Sequence, residues 1–386
     1  MLAAATELPA QRREVVGYYP AWSYVDRDTL VTPLRLPYEK LTVINYAFFV
    51  PRPDGRLVGR NPEVDDVILL GTPDPATGAI RPETGLSFLA HRHGVKLLLS
   101  LGGWDASGNF PAVAADPERR RTFARSCADA IRRYGFDGID IDWEYPGYEP
   151  HNGTPGDGAN YLLMLREVRD TLDAMGRGAG QRPLLTIAVP AHPSQAKGFD
   201  VSAAKGVLDF INIMTYDFHG AWDPVSDHNA PLFASGTGDP AQCVDAAFRL
   251  YHESYGFPAE RINIGTAFYG RSYTNCSDIR MPHGGSDTVH FPPAGTPPYH
   301  TLTTALDSCS RRWDERANVP YLVCDAWNSV VSYDDEESTA LKARYVLDHG
   351  IRGIIIWELT GDFFPDGSTP LLDSIHRVFT ATPPAK

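Results

Sequence analysis

Eight short apolar runs punctuate the chain. They are EVVGYYPA (14–21), LTVINYAFFV (41–50), VKLLLSLGG (95–103), FDGIDIDWE (136–144), LLTIAVPA (184–191), LDFINIMTYDF (208–218), RINIGTAFYG (261–270) and RGIIIWEL (352–359). Most are near-continuous in Val, Ile, Leu and aromatic residues, which is how strands buried on both faces read. Between several of them lie amphipathic stretches with helical spacing, at 116–135, 160–176, 239–256 and 333–350. In the last of these Asp334 is expected as N-cap, Glu337 at the third helical position and Gly350 as the stop. Strand then helix, repeated about eight times, predicts an α/β fold, a parallel (β/α)8 barrel. A doubly wound open sheet is the alternative. It calls for a phosphate-binding glycine loop after the first strand, and GYYPAW (17–22) is not one.

One stretch breaks the rhythm. Residues 272–332 are rich in Gly, Pro, Ser and Thr, carry three of the five cysteines, and fall between the seventh and eighth strands. They are expected to form a small inserted subdomain on the loop side of the barrel. The barrel itself is then 14–271 together with 333–380, with tails at 1–13 and 381–386.

Composition narrows the partners more than the fold. With 48 acids against 35 bases the net charge is −13, so a nucleic-acid backbone would be repelled and a neutral substrate fits best. No basic amphipathic stretch marks a membrane surface, and no apolar run reaches the ~20 residues of a membrane span. The cysteines (127, 243, 276, 309, 324) show neither a CxxC nor a zinc spacing. One disulfide among Cys276, Cys309 and Cys324 is open to the chain, and Cys127 reads as a buried free thiol. The start, MLAAATELPAQRR, lacks the basic and long apolar regions of a signal peptide.

The chemistry concentrates in DGIDIDWE (137–144). Asp140, Asp142 and Glu144 sit two apart, with Ile139, Ile141 and Trp143 between them. A half-exposed strand would turn such acids to water. The neighbouring runs are apolar throughout, however, and a barrel strand points alternate residues into the barrel. All three acids then share the interior, with Glu144 at the C-terminal end where barrel enzymes place their chemistry. Like charges held that close cannot all ionise, so at least one proton stays near neutral pH and can serve a general acid. Asp137 is out of register with the other three and is expected to bond nearby backbone. The acids lack an EF-hand pattern, and no other strand end supplies a matching His or carboxylate cluster, so neither a metal nor a cofactor is expected.

The other strand ends carry aromatic residues: Tyr18, Trp22, Phe48, Trp104, Tyr216, Trp222, Tyr269 and Trp357. Each alone could be core. Together with Asp217, His219 and Arg271 they suggest a groove for sugar rings, which stack C–H faces on aromatics. Carboxylates beside a sugar groove point to glycoside hydrolysis.

At this point a family likeness becomes visible. DGIDIDWE fits the DxxDxDxE motif of the family 18 glycoside hydrolases, the chitinases. SLGGW (100–104), MTYDFHGAW (214–222) with HNAPL (228–232), YGRSY (269–273), WDERANVPYL (313–322), YDDEES (333–338) and IIIWEL (354–359) resemble further landmarks of that family, in order. The likeness covers roughly 14–380 and implies a TIM barrel with an α+β insertion after the seventh strand. It implies hydrolysis of β-1,4-linked N-acetylglucosamine, as chitin or its oligomers, by a substrate-assisted retaining route through an oxazolinium ion. On that resemblance Glu144 is the acid and base, and Asp142 steadies the acetamido group. Asp140 shares a proton with Asp142, and Tyr216 holds the acetamido oxygen. Trp357 would floor the cleavage site, with Tyr18, Phe48 and Met214 lining it. Trp104 and Trp222 would stack sugars on either side, while Asp217, Tyr269 and Arg271 would bond substrate. Asp105 stands where the family more often has Asn. Action outside the cell follows from the substrate class, and a monomer is expected. Two other readings share parts of the pattern: an endo-β-N-acetylglucosaminidase on N-glycans, and a non-hydrolytic chitin-binding lectin. The lectin relatives lose the acid at the position of Glu144, which is present here.

Overall fold

The computed structural model describes residues 13–179, 182–236 and 238–381. The expected tails, apart from Arg13 and Ala381, and the stretch read for a signal peptide lie outside the described residues.

Each of the eight apolar runs contains a strand. In chain order the strands are Glu14–Pro20, Val43–Pro51, Lys96–Gly102, Gly138–Asp142, Leu184–Pro190, Phe210–Met214, Ile262–Ala267 and Gly353–Trp357. They pair in parallel, each with the next. The first also pairs with the eighth, Glu14 opposite Gly353, which closes the barrel. A short strand, Leu57–Gly59, runs antiparallel on the end of the second.

Alternation along the strands sorts the core into two shells. Ile139, Ile141 and Trp143 join Leu97, Leu99, Ile187, Ile211 and Ile264 in the outer shell under the helices. Val16, Tyr18, Val43, Ala47, Leu98, Ala188, Met214, Ala267 and Ile355 form a second cluster inside the barrel. All five residues of Gly138–Asp142 are buried, so the strand is not the half-exposed one considered from its polar pattern.

The helices follow the sequence with two corrections. Helix Pro117–Tyr134 starts at Asp116, whose carboxylate accepts from the N–H groups of Glu118 and Arg119, and stops at left-handed Gly135. The helix expected from 333 is Glu336–Asp348, and its N-cap is Asp335 rather than Asp334, with Ser338 rather than Glu337 closing the capping box. Asp334 is drawn away by the buried Lys342, whose ammonium reaches both its oxygens at 2.7 and 2.6 Å. The stretch 239–256 is helical only over Val244–Arg249, followed by a wider turn at Leu250–Ser254. Its first residues are taken up by turns, and Cys243 caps the helix instead.

Residues 271–332 hold a separate antiparallel sheet, ordered Ser310–Asp314, Val319–Cys324, Ser329–Ser332, Arg271–Thr274. It has its own small core of Tyr273, Cys276, Ile279, Val323 and Val330. A disulfide joins Cys309 to Cys324, while Cys127, Cys243 and Cys276 are free and buried. Polar contacts seat this sheet on the loop after the sixth barrel strand. His228 Nε2 lies 3.1 Å from Asp314, and the Asn229 N–H donates to Ser332 Oγ at 2.9 Å.

Lys342 and Asp334 are both wholly buried and lie between the inserted sheet and the eighth strand. Removing one partner strands a buried charge. Lys342→Ala is therefore expected to lower stability by about 3–5 kcal/mol in chemical unfolding, and the paired change Lys342→Met with Asp334→Leu by much less.

Candidate active site

Asp140 is the most enclosed of the three acids, with no exposure. Four donors from four other strands surround its carboxylate. Tyr18 Oη and Ser100 Oγ donate to Oδ2, both at 2.9 Å. Thr186 Oγ1 and Asn212 Nδ2 donate to Oδ1 at 2.6 and 3.1 Å. Asn263 extends the chain by donating to Asn212 Oδ1 at 3.0 Å. A carboxylate offers about four lone-pair sites, and all are used. The expected proton sharing between Asp140 and Asp142 is thus not made in this arrangement. Burial still pushes Asp140 above the usual carboxylate range, against the pull of its four donors.

Asp142, the next acid along, has its Oδ1 buried without a partner. Burial first, then the Glu144 and Asp140 carboxylates, hold it well above the ordinary range. Glu144 lies just past the strand end. Burial, with smaller contributions from Asp217 and Asp105, pushes it up to about 7. The Glu144 backbone is fixed on both sides. Its N–H donates to Ser107 Oγ at 2.9 Å, and its carbonyl meets His151 Nδ1 at 2.8 Å. Asp137, by contrast, faces away. Its Oδ2 accepts from the Leu97 N–H at 2.8 Å and lies 3.0 Å from His91.

The aromatic residues divide into floor and rim. Trp357 is half-buried, stacked on Phe48 with centroids 5.8 Å apart and met edge-on by Tyr18 at 5.6 Å. Tyr18, Phe48 and Met214 belong to the cluster inside the barrel. The Tyr18 hydroxyl is spent on Asp140, so Tyr18 supports the acids from below. Tyr216 stands beside the acids, edge-on to Tyr269 at 6.3 Å. Burial and the charges of Asp142 and Glu144 keep its hydroxyl protonated. Gly265 makes room for it, since a Cβ there would come within 2.7 Å of the Tyr216 ring. Trp104 and Trp222 are the exposed rim, at 48% and 59%. The Arg271 guanidinium lies over Trp222, 4.7 Å from the ring centre.

Asp217, Tyr269 and Arg271, expected to bond substrate, are brought together and also bond one another. Asp217 Oδ1 accepts from Tyr269 Oη at 2.6 Å and from Arg271 Nε at 2.8 Å. Asp217 has a left-handed backbone, φ 56°, and its N–H is held by Asn229 Oδ1 at 3.0 Å. Asp105 pairs with Arg60 at 3.2 Å.

The whole arrangement is a carboxyl group protonated near neutral pH, a second acid with a free oxygen, and a tyrosine hydroxyl, ringed by aromatic walls. The profile of the glycosyl hydrolases family 18 matches residues 14–362. The chain belongs to that family. It is 34% identical, over 94% of its length, to chitinase A1 of Niallia circulans. It is 35% identical, over 69% of its length, to endochitinase 1 of Metarhizium robertsii. These alignments cover 58% and 62% of the two relatives, so the chain spans little more than half their length. Among solved structures, Ostrinia furnacalis Group IV chitinase in complex with allosamidin superposes with a TM-score of 0.83 at 30% identity. That likeness covers 95% of this chain and 98% of that one.

Within this family 18 site, sequence reasoning passed over Ser100, Thr186, Asn212 and Asn229. A signal was present for the first three. They are lone polar residues at interior positions of otherwise apolar strands, where an unpaired group would be costly. Asn229 carried no such signal, because it lies in a loop rather than an apolar strand, within the HNAPL stretch noted above only for its family likeness.

The raised acids have a measurable cost. Glu144 is protonated below its unfolded value near 4.5 in both states, so its burial costs nothing there. As pH rises toward about 7 the unfolded chain ionises while the folded one does not, and stability falls. Glu144→Gln is therefore expected to match wild type in unfolding at pH 4 and to exceed it by roughly 2–3 kcal/mol at pH 8.

Proposed function

We propose that this chain hydrolyses β-1,4-linked N-acetylglucosamine polymers and oligomers, with retention of configuration, by substrate-assisted catalysis. The observation that carries the reading is Glu144, a buried carboxyl pushed up to about 7 beside a second acid and a tyrosine hydroxyl on an aromatic floor. A general acid works best with a pKa near the working pH.

The bound sugar rests on Trp357, with its 2-acetamido group toward Asp142 and Tyr216. Glu144 donates its proton to the glycosidic oxygen as the C1–O bond breaks. The acetamido carbonyl oxygen attacks C1 and closes an oxazolinium ring. Tyr216 Oη steadies that oxygen. Asp142 Oδ1 accepts from the acetamido N–H and balances the positive charge that develops there. Burial and the Asp140 and Glu144 carboxyls raise Asp142 in the free chain; the developing oxazolinium charge opposes them and draws Asp142 to its ionised form, its proton passing to water. Water then enters at C1, Glu144 takes its proton, and ring opening restores the acetamido group with the configuration retained. All the named groups lie on one chain, so the reaction needs no second copy. The substrate class places the activity outside the cell. Among the described residues no helix is long and apolar enough to cross a membrane.

The test uses N-acetylglucosamine oligomers of defined length, with products followed by chromatography. Wild type is expected to cleave them. Glu144→Gln is expected to lose at least roughly a hundredfold in kcat while still binding, because an amide cannot donate the proton. Asp142→Asn is expected to be severely slowed with affinity largely kept. Binding without cleavage by wild type would make the chain a lectin. Cleavage confined to N-glycan cores would make it an endo-β-N-acetylglucosaminidase.

The pH profile is a separate check. Because Glu144 must carry its proton, kcat/KM is expected to fall as pH rises through about 7. Activity is expected to be unchanged by EDTA.

A further inference from the structure

We infer that His151 is a positioning residue. Its imidazole backs the Trp104 platform and ties that platform to the backbone of the general acid, so that it sets the strength of sugar binding next to Glu144. The inference rests on the sugar-binding part of the function proposed above.

Two contacts of one ring carry it. The His151 imidazole lies flat against the Trp104 indole, with centroids 3.8 Å apart and planes 4° from parallel. In the same position His151 Nδ1 meets the Glu144 carbonyl oxygen at 2.8 Å. A carbonyl only accepts, so Nδ1 carries the proton and donates. Trp104 is otherwise a rim residue, 48% exposed, touched edge-on by Tyr145 at 6.1 Å. With one face covered by His151, its exposed surface is the opposite face and the edges. A free indole at a groove rim would lose rotamer freedom on stacking a sugar. One already held by a parallel ring does not, and such preorganisation strengthens binding.

The loop that delivers His151 is braced for the purpose. Asp157 opens the following helix and is buried. Its carboxylate accepts from the N–H groups of Gly147 and Thr154 at 3.1 and 2.6 Å, and from Thr154 Oγ1 at 2.5 Å. His151 N donates to the Tyr148 carbonyl at 3.0 Å, and Asn152 turns the chain with a left-handed φ of 66°. Position 151 is thereby held over the third strand's loop, although it belongs to the fourth.

The test is direct binding, made in the Glu144→Gln background so that ligand survives. Isothermal titration with the N-acetylglucosamine hexamer would compare His151, His151→Ala and His151→Phe. His151→Ala is expected to weaken binding roughly three- to tenfold, the size of one ring contact. His151→Phe, which keeps the flat ring, is expected to restore most of it. Adding His151→Ala to Trp104→Ala is expected to cost nothing more, since the two act as one unit. Thermal melts report whether each variant is folded.

Full affinity in His151→Ala would overturn the inference. Equal losses in the Ala and Phe variants, or additive losses with Trp104→Ala, would also overturn it, because the ring contact would not be the cause. A parent chain that fails to bind the hexamer would overturn both this inference and the proposed substrate. A wild type that binds but does not cleave would overturn only the hydrolytic reading.

Discussion

A carboxylate with no exposure organises this molecule. Asp140 can be buried only because Tyr18, Ser100, Thr186 and Asn212 fill its lone pairs from the first, third, fifth and sixth strands. Deprived of them, a buried charge of that kind would cost several kcal/mol. The donors fix the register of four strands about one point at the centre of the barrel. Because side chains alternate along a strand, that same register lifts Asp142 above Asp140 inside the barrel and carries Glu144 to the mouth. The upward shifts of the acids follow from this placement. Burial acts on all three, and each of the upper two also feels the negative charge of another acid.

The groove is assembled from elements distant in sequence. Trp357 comes from the last strand, Phe48 from the second, and the two rings stack across the closure of the barrel. The inserted sheet acts through polar contacts. Ser332, at the end of its third strand in space, accepts from the Asn229 N–H, and Asn229 in turn holds the N–H of Asp217. Asp217 is one of the charges that raises Glu144. The insertion therefore bears on the acid through two hydrogen bonds that hold Asp217 and through the charge of Asp217. His151 bears on the acid separately, through the backbone carbonyl of Glu144.

Much of this was legible in the residues. Strands buried on both faces read as continuous apolar runs, and all eight contain barrel strands. The interior position of Asp140, Asp142 and Glu144 followed from a period of two. Where expectation and structure differ, a competing partner is the usual reason, although the stretch 239–256 lost its first turns to local structure capped by Cys243. Asp334 has the local look of an N-cap, but Lys342 draws its carboxylate away and Asp335 takes the role. Asp140 was expected to share a proton with Asp142, but four donors from other strands occupy it. Asp217, Tyr269 and Arg271, expected at the substrate, are brought together by bonds between residues 52 and 54 positions apart, which no local pattern shows.

What the sequence determined by itself was periodic and local: the order of strand and helix, the interruption at 272–332, and the side of its strand on which each acid lies. Those depend on alternation and on caps within a few residues, and both are written along the chain. Only the tertiary structure decided which lone polar residues converge on Asp140, which cysteine pairs with which, and which loop brings an imidazole under Trp104. Each of those is a contact between residues fifteen or more positions apart. Such contacts depend on how the barrel closes and how its loops fold back, and no local pattern records that.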